Sequence, residues 1–465
     1  MGRCFQKKHN RQGVFKDIAI GLIIANSKSS VLVDSDIMSK LKLQTLTGMH
    51  DVLPEEQVYF KKLNKAVESV ANYYNFKRID TPILEMADVF FKGTGVGTDI
   101  VEKEMYVFRT KGGDMVALRP EFTPSIARSY IENGMYNLPQ PVKLWTSGPC
   151  FRHEKPQAGR YRQFLQFSLE VLGEINPSVD GQIIQMSYDI LKELGLKNIT
   201  IEVNSIGDSE CRPYFKKNLT GYFRSRRSSL CTDCQRRLKE NPLRILDCKE
   251  ERCQRVKAGA PQIIDHLCKN CHAHFKQVLE FLDELQLPYT LNPYLVRGLD
   301  YYTKTVFEIV EKSEGGEVQG TLIGGGRYDG LVKSLGGRDT PGCGAAGGLE
   351  RIVNLIKTRE TKPPSSPDGA KIFLAQLGQL AKRKGMRLFE DFRKAKIPVA
   401  ESFSKDSLKA QLRSADKLGI RWVLIFGQKE ALEGFITLRD METGAQKEIK
   451  LSKVVSEMRA KVKSK

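Results

Sequence analysis

The sequence predicts an α+β protein in which helices flank an antiparallel sheet, a helical insertion interrupts the sheet-forming part, and a small α/β domain follows at the C-terminus. Segments rich in β-branched and aromatic residues follow one another with few helical crossovers, which favours antiparallel strands over a doubly wound sheet. We predict such strands at 142–145, 161–171, 199–203 and 305–310. Beyond residue 370, strand and helix patterns alternate, which indicates a separate α/β unit.

The first regular element is a predicted helix that begins at Pro54. Proline is tolerated in a first helical turn, and Glu55 and Glu56 favour the positive end of the helix dipole. Between the last two predicted strands of the main part, 207–289 shows mostly helical periodicity. The C-terminal part is predicted to form a strand, two helices and another strand, at 372–375, 382–395, 408–418 and 422–426.

With 465 residues, the chain is too long for one ordinary hydrophobic core. We expect a leader over 1–40 that is disordered or precedes the true start at Met38. A working secretion signal is disfavoured there, because Asp17 abuts the short apolar run and no small-residue cleavage site follows. The remaining segments are a main domain over 41–206 and 290–360, the insertion over 207–289, a Pro-rich linker over 361–369 and the C-terminal domain over 370–465.

The full chain has a formal net charge of +19. The excess of basic side chains is concentrated in two parts of it. Residues 371–465 hold 22 basic and 11 acidic side chains, and residues 212–276 hold 16 basic and 6 acidic ones. Two basic modules on a near-neutral body are the charge pattern expected of a chain that binds a phosphate backbone at two places. Because no apolar run approaches the roughly 20 residues of a bilayer span, the sequence does not predict an integral membrane protein.

Four of the ten cysteines form two C-x-x-C pairs, at Cys231–Cys234 and Cys268–Cys271. Paired thiols at this spacing predict one structural zinc site of four cysteines, although the interval between the pairs is longer than usual. The alternative is four reduced thiols in a helical module. Either use of cysteine fits a reducing compartment better than an oxidising one.

The densest chemistry lies in 150–173, where the sequence CFRHEKPQAGRYRQFLQFSLEVLG joins a basic loop to an alternating strand. Alternation places Gln166, Ser168 and Glu170 on one face and apolar residues on the other. The polar face therefore offers an amide and a carboxylate to a ligand with a positive amine. The alternative is an ordinary strand with one solvated face.

Six stretches of the chain resemble one known family. Residues 151–164 resemble motif 2 of the class II aminoacyl-tRNA synthetases, FKRIDTPILE at 76–85 resembles motif 1, and GAAGGLER at 344–351 resembles motif 3. LVRGLDYYT at 295–303, together with GGGRYDG at 324–330 and LRPEFT at 118–123, is similar to the histidyl-tRNA synthetase family within that class. The resemblance extends from about Leu43 to near the C-terminus.

The resemblance implies an enzyme that activates L-histidine with ATP, forms histidyl-adenylate and transfers the histidyl group to tRNA(His). It implies a class II catalytic domain, an insertion that leans on the acceptor arm, and a C-terminal anticodon-binding domain. ATP would bring Mg²⁺, and motif 1 would form the interface of a homodimer. The expected location is the cytoplasm.

The resemblance also assigns site residues. ATP would be bound by Arg152 at the α-phosphate, Glu154 at the adenine amino group, Phe164 against the ring, and Arg351 at the γ-phosphate. Histidine would be bound by Glu121, Thr123, Arg152, Gln166, Glu170, Arg297, Tyr301 and Tyr302. Arg152 and Arg297 are the expected catalytic residues, because fixed cations offset the charge that develops on phosphate oxygens.

Several alternatives remain open at this point. A silent paralogue that regulates histidine biosynthesis would share the core, and a synthetase for another amino acid would share the three class motifs. Arg351 could make a surface salt bridge, Arg297 could be structural at a strand entry, and 324–326 could be merely a tight turn.

Overall fold

The structure is a computed structural model that describes residues 43–95, 98–157, 159–312, 318–359 and 369–463. The expected leader over 1–40, with its candidate start at Met38, lies outside the described residues. So does the predicted linker, apart from Gly369.

Within the described ranges, the strands form sheets of eight, three and five members. In chain order they are β1 (Lys77–Arg78), β2 (Leu84–Met86), β3 (Val107–Arg109), β4 (Met115–Leu118), β5 (Val142–Phe151), β6 (Gln163–Leu172), β7 (Ile199–Ser205), β8 (Tyr289–Leu291), β9 (Thr303–Lys312), β10 (Val318–Arg327), β11 (Gly342–Gly348), β12 (Ile372–Gln376), β13 (Val399–Glu401), β14 (Trp422–Phe426), β15 (Phe435–Asp440) and β16 (Gln446–Lys450).

The α-helices of the same ranges are, in chain order, α1 (Pro54–Tyr73), α2 (Ala87–Thr94), α3 (Thr123–Glu132), α4 (Ser178–Glu193), α5 (Arg212–Arg224), α6 (Thr232–Glu240), α7 (Glu251–Lys257), α8 (Lys269–Glu284), α9 (Leu331–Ser334), α10 (Leu349–Arg359), α11 (Gln379–Lys394), α12 (Leu408–Lys417), α13 (Gln428–Glu433) and α14 (Leu451–Lys463). A π-helical turn spans Ile100–Glu104, and 3₁₀ turns include Arg227–Ser229, Pro242–Ile245 and Ile263–His266.

The large sheet has the strand order β1-β5-β6-β11-β10-β9-β7-β8. Its interior pairs are antiparallel, which confirms the predicted sheet type. Its two edge pairs, β1 with β5 and β7 with β8, are parallel. The edge strands β1 and β8 contain two and three residues, too few to carry a periodic signal in the sequence.

Helices cover one face of this sheet. The inward side chains of β6, Phe167, Leu169 and Val171, share a core cluster with residues of α1, α4, α8 and α10. Helix α1 begins at Pro54 as predicted and buries Leu63 and Val67 in that cluster. This packing fixes β6, so its opposite face is held rigidly toward the site.

The insertion shares a second core cluster with the main domain. Phe215 and Phe223 of α5 pack in the same cluster as Tyr301, Tyr302 and Val306, which precede or lie on β9. The helical segment is therefore buried against the elements that carry the LVRGLDYYT motif. Anything that orders the insertion also supports this motif.

The C-terminal domain is a five-stranded sheet with the order β13-β12-β14-β15-β16 and helices on both faces. Along β12, Ile372 and Leu374 join a cluster with α11 and α14, whereas Phe373 and Ala375 join one with α12. Two separate buried clusters explain why every residue of this strand is apolar except its last. No helix in the described part of the chain is both long and apolar enough to cross a membrane.

Candidate active site

A cavity of about 310 Å³ lies in the main domain beside β6, β9, β10 and β11. The structure brings to its wall residues that are more than 200 positions apart in the sequence. The predicted site residues that line it are Glu121, Thr123, Arg152, Glu154, Phe164, Gln166, Arg297, Tyr301, Tyr302 and Arg351. The remaining predicted histidine-binding residue, Glu170, does not line the cavity itself but accepts a hydrogen bond from Thr123, which does.

Arg297 reaches the cavity from a loop that precedes β9, where it forms an ion pair with Glu308. Burial by itself lowers the pKa of Arg297, but the facing carboxylate of Glu308 and the neighbouring Tyr302 and Tyr301 together outweigh that effect, so the pKa is raised. Thr321 Oγ1 donates a hydrogen bond of 2.6 Å to the second oxygen of Glu308. The guanidinium is thus a fixed, fully charged cation on the cavity wall, as the predicted role requires.

Gly324 on β10 explains how that cation fits. A Cβ atom at this position would lie 2.5 Å from Nη1 of Arg297, far inside van der Waals contact. Residues 324–326 lie within β10 and pair with β9 and β11, so the interpretation of this cluster as a tight turn is wrong. Glycine is needed here for close approach of a side chain to a strand backbone.

Glu121 is a buried carboxylate held by two donors. The hydroxyl of Tyr301 donates to it at 2.7 Å, and Thr94 Oγ1 donates at 3.1 Å. Burial raises the pKa of Glu121, while the nearby charge of Arg152 acts in the opposite direction. An ammonium ligand would relieve this desolvation, because a positive partner favours the ionised carboxylate.

Glu170 is only 1% exposed and accepts hydrogen bonds from three hydroxyls. Thr123 Oγ1 and Ser168 Oγ lie 2.7 Å and 2.6 Å from its Oε1, and the Tyr328 hydroxyl donates to its Oε2. Burial raises the pKa of Glu170 to about 7. Both faces of β6 are buried at Gln166, Ser168 and Glu170, so the alternative of a solvated face is wrong.

The predicted ATP residues Arg152, Glu154, Phe164 and Arg351 line the same cavity. Arg152 donates from Nε to the Pro120 carbonyl at 3.0 Å, and its guanidinium carbon lies 5.4 Å from the centre of the Phe164 ring. Glu154 accepts from Arg160 at 3.1 Å. These contacts hold a cation, an aromatic face and a carboxylate close together on the motif 2 loop.

Arg351 lies in the first turn of α10 and donates from Nη1 to the carbonyl of Thr321 at 2.9 Å. Burial lowers the pKa of Arg351, and the like charge of Arg160 adds to this effect. Its partner is a strand carbonyl beside the cavity, so the structure does not show the surface salt bridge that was the alternative.

Sequence reasoning missed the residues that orient the site. Glu308 was detectable in principle, because it interrupts the apolar run of β9, where its neighbours Phe307 and Ile309 are fully buried. Thr94 gave no such signal, and the GGGRYDG motif that contains Tyr328 did not indicate what its hydroxyl contacts. Their hydroxyls meet Glu121 and Glu170 only after the chain has folded.

The predicted four-cysteine site is wrong as a group. The structure places Cys231 and Cys234 with Cys248 and Cys253, and it places Cys268 and Cys271 with Asp208 and Cys211. Within each set, the ligand atoms lie within 4.8 Å of one another. The two C-x-x-C pairs begin different helices, α6 and α8, and each pair faces a different partner segment.

Comparisons with known proteins identify the families that the chain matches. The chain matches the family described as "Histidyl-tRNA synthetase" over residues 48–207 and 242–352, and the one described as "Anticodon binding domain" over 371–461. It is 43% identical over 419 residues to "Histidine--tRNA ligase" of Dehalococcoides mccartyi strain 195, which covers 90% of this chain and all of that protein. The protein of the same name from Desulforamulus reducens is 43% identical, covering 89% of this chain and 98% of the relative.

A solved structure gives the same result in three dimensions. The apo histidyl-tRNA synthetase of S. aureus superposes with a TM-score of 0.74 and is 34% identical, covering 90% of this chain and 99% of that one. Because the matched segments contain the motifs whose residues converge on the cavity, the comparisons and the geometry point to one conclusion: the chain belongs to the histidyl-tRNA synthetase family of class II aminoacyl-tRNA synthetases.

Proposed function

We propose that the chain activates L-histidine with ATP to form histidyl-adenylate and then transfers the histidyl group to tRNA(His). The observation that carries this proposal is the convergence of the motif 2 and motif 3 cations and the Arg297 loop on one cavity. The names of its relatives, "Histidine--tRNA ligase", support the same reaction.

In the proposed first step, a carboxylate oxygen of histidine attacks the α-phosphorus of ATP and pyrophosphate leaves. Arg152 and Arg297 would lie on either side of the α-phosphate and stabilise the charge that develops on its oxygens. The planar guanidinium suits this role, because it is always charged and presents two parallel donors. Mg²⁺ would enter with ATP, so the phosphate oxygens would supply part of its ligand shell.

Histidine itself would be recognised by the buried carboxylates and tyrosines. The ammonium group would face Glu121 and Glu170, and the imidazole would lie against Tyr301 and Tyr302, whose ring centres are 4.7 Å apart. Gln166, on the same face of β6 as Glu170, adds a hydrogen-bonding amide. A cavity with buried carboxylates selects for a cationic group, because an unpaired buried charge is costly.

In the proposed second step, a terminal hydroxyl of tRNA attacks the carbonyl carbon of the adenylate, and AMP leaves. We propose that 41–206 and 290–360 form the catalytic domain, that 207–289 contacts the acceptor arm, and that 370–465 reads the anticodon. A groove on the insertion supports the second assignment, because Lys216, Lys217, Arg224, Arg227 and Lys239 line it. Phosphate contacts of this kind provide affinity that depends on salt concentration.

We also propose that two copies of this chain pair through the sheet of β2, β3 and β4. This sheet contains part of the motif 1 segment and exposes a row of apolar side chains, namely Leu84, Met86, Val107, Phe108 and Met115. Several exposed apolar side chains on one small sheet indicate a protein contact. Light scattering on the full chain should give twice the mass of one chain. The Phe108→Glu variant should give the mass of a single chain.

The reduced thiols of the chain support a cytoplasmic location for this reaction. Cys231, Cys234 and the other seven cysteines of the described residues are free. Thiols persist in this form in a reducing compartment.

The experiment that tests the reaction is ATP–pyrophosphate exchange with each of the twenty amino acids added singly. The proposal expects exchange with histidine alone. Exchange with a different amino acid would contradict the specificity, and no exchange with any amino acid would indicate a silent binding protein instead.

A further inference from the structure

Four cysteines of the insertion form a compact cluster that the proposed reaction does not use. Cys231 and Cys234 flank the start of α6, Cys248 follows the 3₁₀ turn Pro242–Ile245, and Cys253 lies in α7. Their sulfur atoms all lie within 4.8 Å of one another, and no member is more than 9% exposed. Three separate elements therefore deliver four thiols to one buried point.

The spacing of the sulfurs fits a tetrahedral metal. A Zn–S bond of about 2.3 Å in tetrahedral geometry requires sulfurs roughly 3.8 Å apart. Cys231 Sγ and Cys248 Sγ are 3.9 Å apart. That distance is far beyond the about 2.05 Å of a disulfide bond, so the cluster is arranged around a common centre rather than in bonded pairs.

Backbone donors already point at two of the sulfurs. The N–H of Cys234 donates to Cys231 Sγ at 3.4 Å, and the N–H of Cys231 donates to Cys253 Sγ at 3.2 Å. Cys231 also caps the N-terminus of α6, where the helix dipole favours negative charge. Both features stabilise thiolates, which are the form that binds metals.

We propose that Cys231, Cys234, Cys248 and Cys253 bind one structural zinc ion. Each thiol releases its proton on binding, and all four coordination positions are filled by protein, as in closed structural sites. The second cluster differs from this one, because Asp208 and Cys268 are only partly buried and one ligand is a carboxylate.

The segment that the zinc site would fix is the one that touches the active-site loop. Between Cys234 and Cys248, the guanidinium groups of Arg237 and Arg244 each donate to Asp99 at 3.0 Å. Arg244 also donates to the carbonyl of Arg297 at 3.4 Å.

In the same segment, Asn241 Nδ2 donates to Asp300 Oδ1 at 2.9 Å. The zinc ion would thus hold the segment between Cys234 and Cys248 in contact with the loop that carries Arg297. Only this positioning effect rests on the proposed function, because metal binding itself is independent of any activity.

The test is the zinc content of the full chain purified without chelator, measured by elemental analysis and by native mass spectrometry. Cys248→Ser should lose one equivalent per chain relative to wild type. The matched control is Cys268→Ser, which removes a thiol of the other cluster and should retain that equivalent. Wild-type protein without zinc, or loss confined to Cys268→Ser, would overturn the proposal.

A second measurement on wild-type protein covers the case in which Cys248→Ser does not fold. Alkylation of the native chain, followed by peptide mass analysis, should label Cys231, Cys234, Cys248 and Cys253 faster after zinc is stripped than before. Hydrogen exchange should rise over 231–253 in the stripped protein and stay unchanged in β5 and β6. Equal labelling in both states, or disulfides among the four sulfurs, would overturn the zinc site.

Discussion

At the scale of single residues, the site is built from charges that are buried before any ligand arrives. Arg297 forms an ion pair with Glu308, and the carboxylates of Glu121 and Glu170 accept hydrogen bonds from hydroxyl donors. Such preorganisation stabilises a transition state without rearrangement during the reaction. The buried carboxylates have raised pKa values, so a cationic ligand gains affinity by ionising them.

Replacing Arg297 by Ala should lower the rate of histidine-dependent exchange by about 10²–10³-fold, the cost of one preorganised donor. The histidine KM should change much less, because the interaction strengthens in the transition state. Arg297→Lys should recover only part of the rate, since an ammonium lacks the planar fork.

A matched control for Arg297 is Arg359, at the end of α10, because it pairs with another carboxylate of the strand that carries Glu308. Arg359 pairs with Glu311 on β9, outside the cavity, so Arg359→Ala should leave the exchange rate unchanged. If Arg297→Ala lowered the melting temperature but left kcat intact, Arg297 would be a structural residue at a strand entry instead.

The raised pKa of Glu170 predicts proton release on histidine binding. With a pKa of about 7 in place of the usual 4.5, Glu170 is mostly protonated at pH 6 in the free protein. A bound ammonium favours the carboxylate and displaces that proton. At pH 8.5 the group is already ionised, so its release should vanish. Calorimetry at pH 6 in buffers of different ionisation enthalpy measures the number of protons.

Variants separate this proton from that of the histidine imidazole. Glu170→Gln should lose the release attributed to the carboxyl group. Glu350→Gln should keep it, although burial also raises the pKa of Glu350 to about 7. Glu350 lines the same cavity, but its carboxylate accepts from the backbone N–H of Leu165 at 2.7 Å and is not one of the groups proposed to face the ammonium group. Equal release by wild type and Glu170→Gln would contradict the assignment.

At the scale of elements, glycines on β10 allow two kinds of close approach: a side chain lies against one of them, and the backbone of β11 lies against the next. The space beside Gly324 is filled by the end of the Arg297 side chain, whereas a Cβ on Gly325 would lie 2.2 Å from the carbonyl oxygen of Gly344. A side-chain end can move aside, but a strand backbone in a paired sheet cannot.

Alanine substitutions at the two neighbouring glycines should therefore have different effects, one on activity and the other on stability. Gly324→Ala should displace the Arg297 guanidinium and lower the exchange rate while the melting temperature stays near that of wild type. Gly325→Ala should lower the melting temperature by several degrees, because β10 and β11 must separate. Rate and unfolding are measured on the same preparations. A stable, inactive Gly325→Ala together with an unstable Gly324→Ala would reverse the argument.

At the scale of the whole molecule, the sequence predicted what depends on local pattern or on short motifs. The alternation of β6 correctly placed Gln166 and Glu170 on one face, and the motifs identified nearly the whole cavity wall. The grouping of the cysteines could not be found in this way. Which thiols meet is decided by how α6, α7 and α8 pack, and spacing alone joined Cys231 to Cys268 incorrectly.

The same limit explains why the orienting hydroxyls were missed. Thr94 and Tyr328 lie on separate elements from the carboxylates they contact, and the GGGRYDG motif that contains Tyr328 does not indicate its partner. The short parallel edge strands were missed for a related reason, because two or three residues show no period. Tertiary contacts between distant segments are thus the part of this fold that a single sequence conceals.

The last prediction concerns the independence of the C-terminal domain. Its core clusters contain only residues from 372–458, so its packing does not depend on the catalytic domain. Removing 368–465 should therefore leave histidine-dependent exchange close to that of the full chain. Charging of tRNA should fall strongly, because the deletion removes the domain proposed to bind the anticodon stem, with an excess of 11 basic over acidic side chains in 371–465.

The full chain provides the control. Its charging of tRNA should weaken steeply as the salt concentration rises from about 50 to about 200 mM, because Lys and Arg side chains neutralise several phosphates. The shortened chain should show a smaller salt slope, because fewer phosphates remain in contact. Charging by the shortened chain at the full rate and with the same salt slope would mean that tRNA is held by the catalytic domain and the insertion alone. The basic groove beside α5 and α6 would then be the principal tRNA contact.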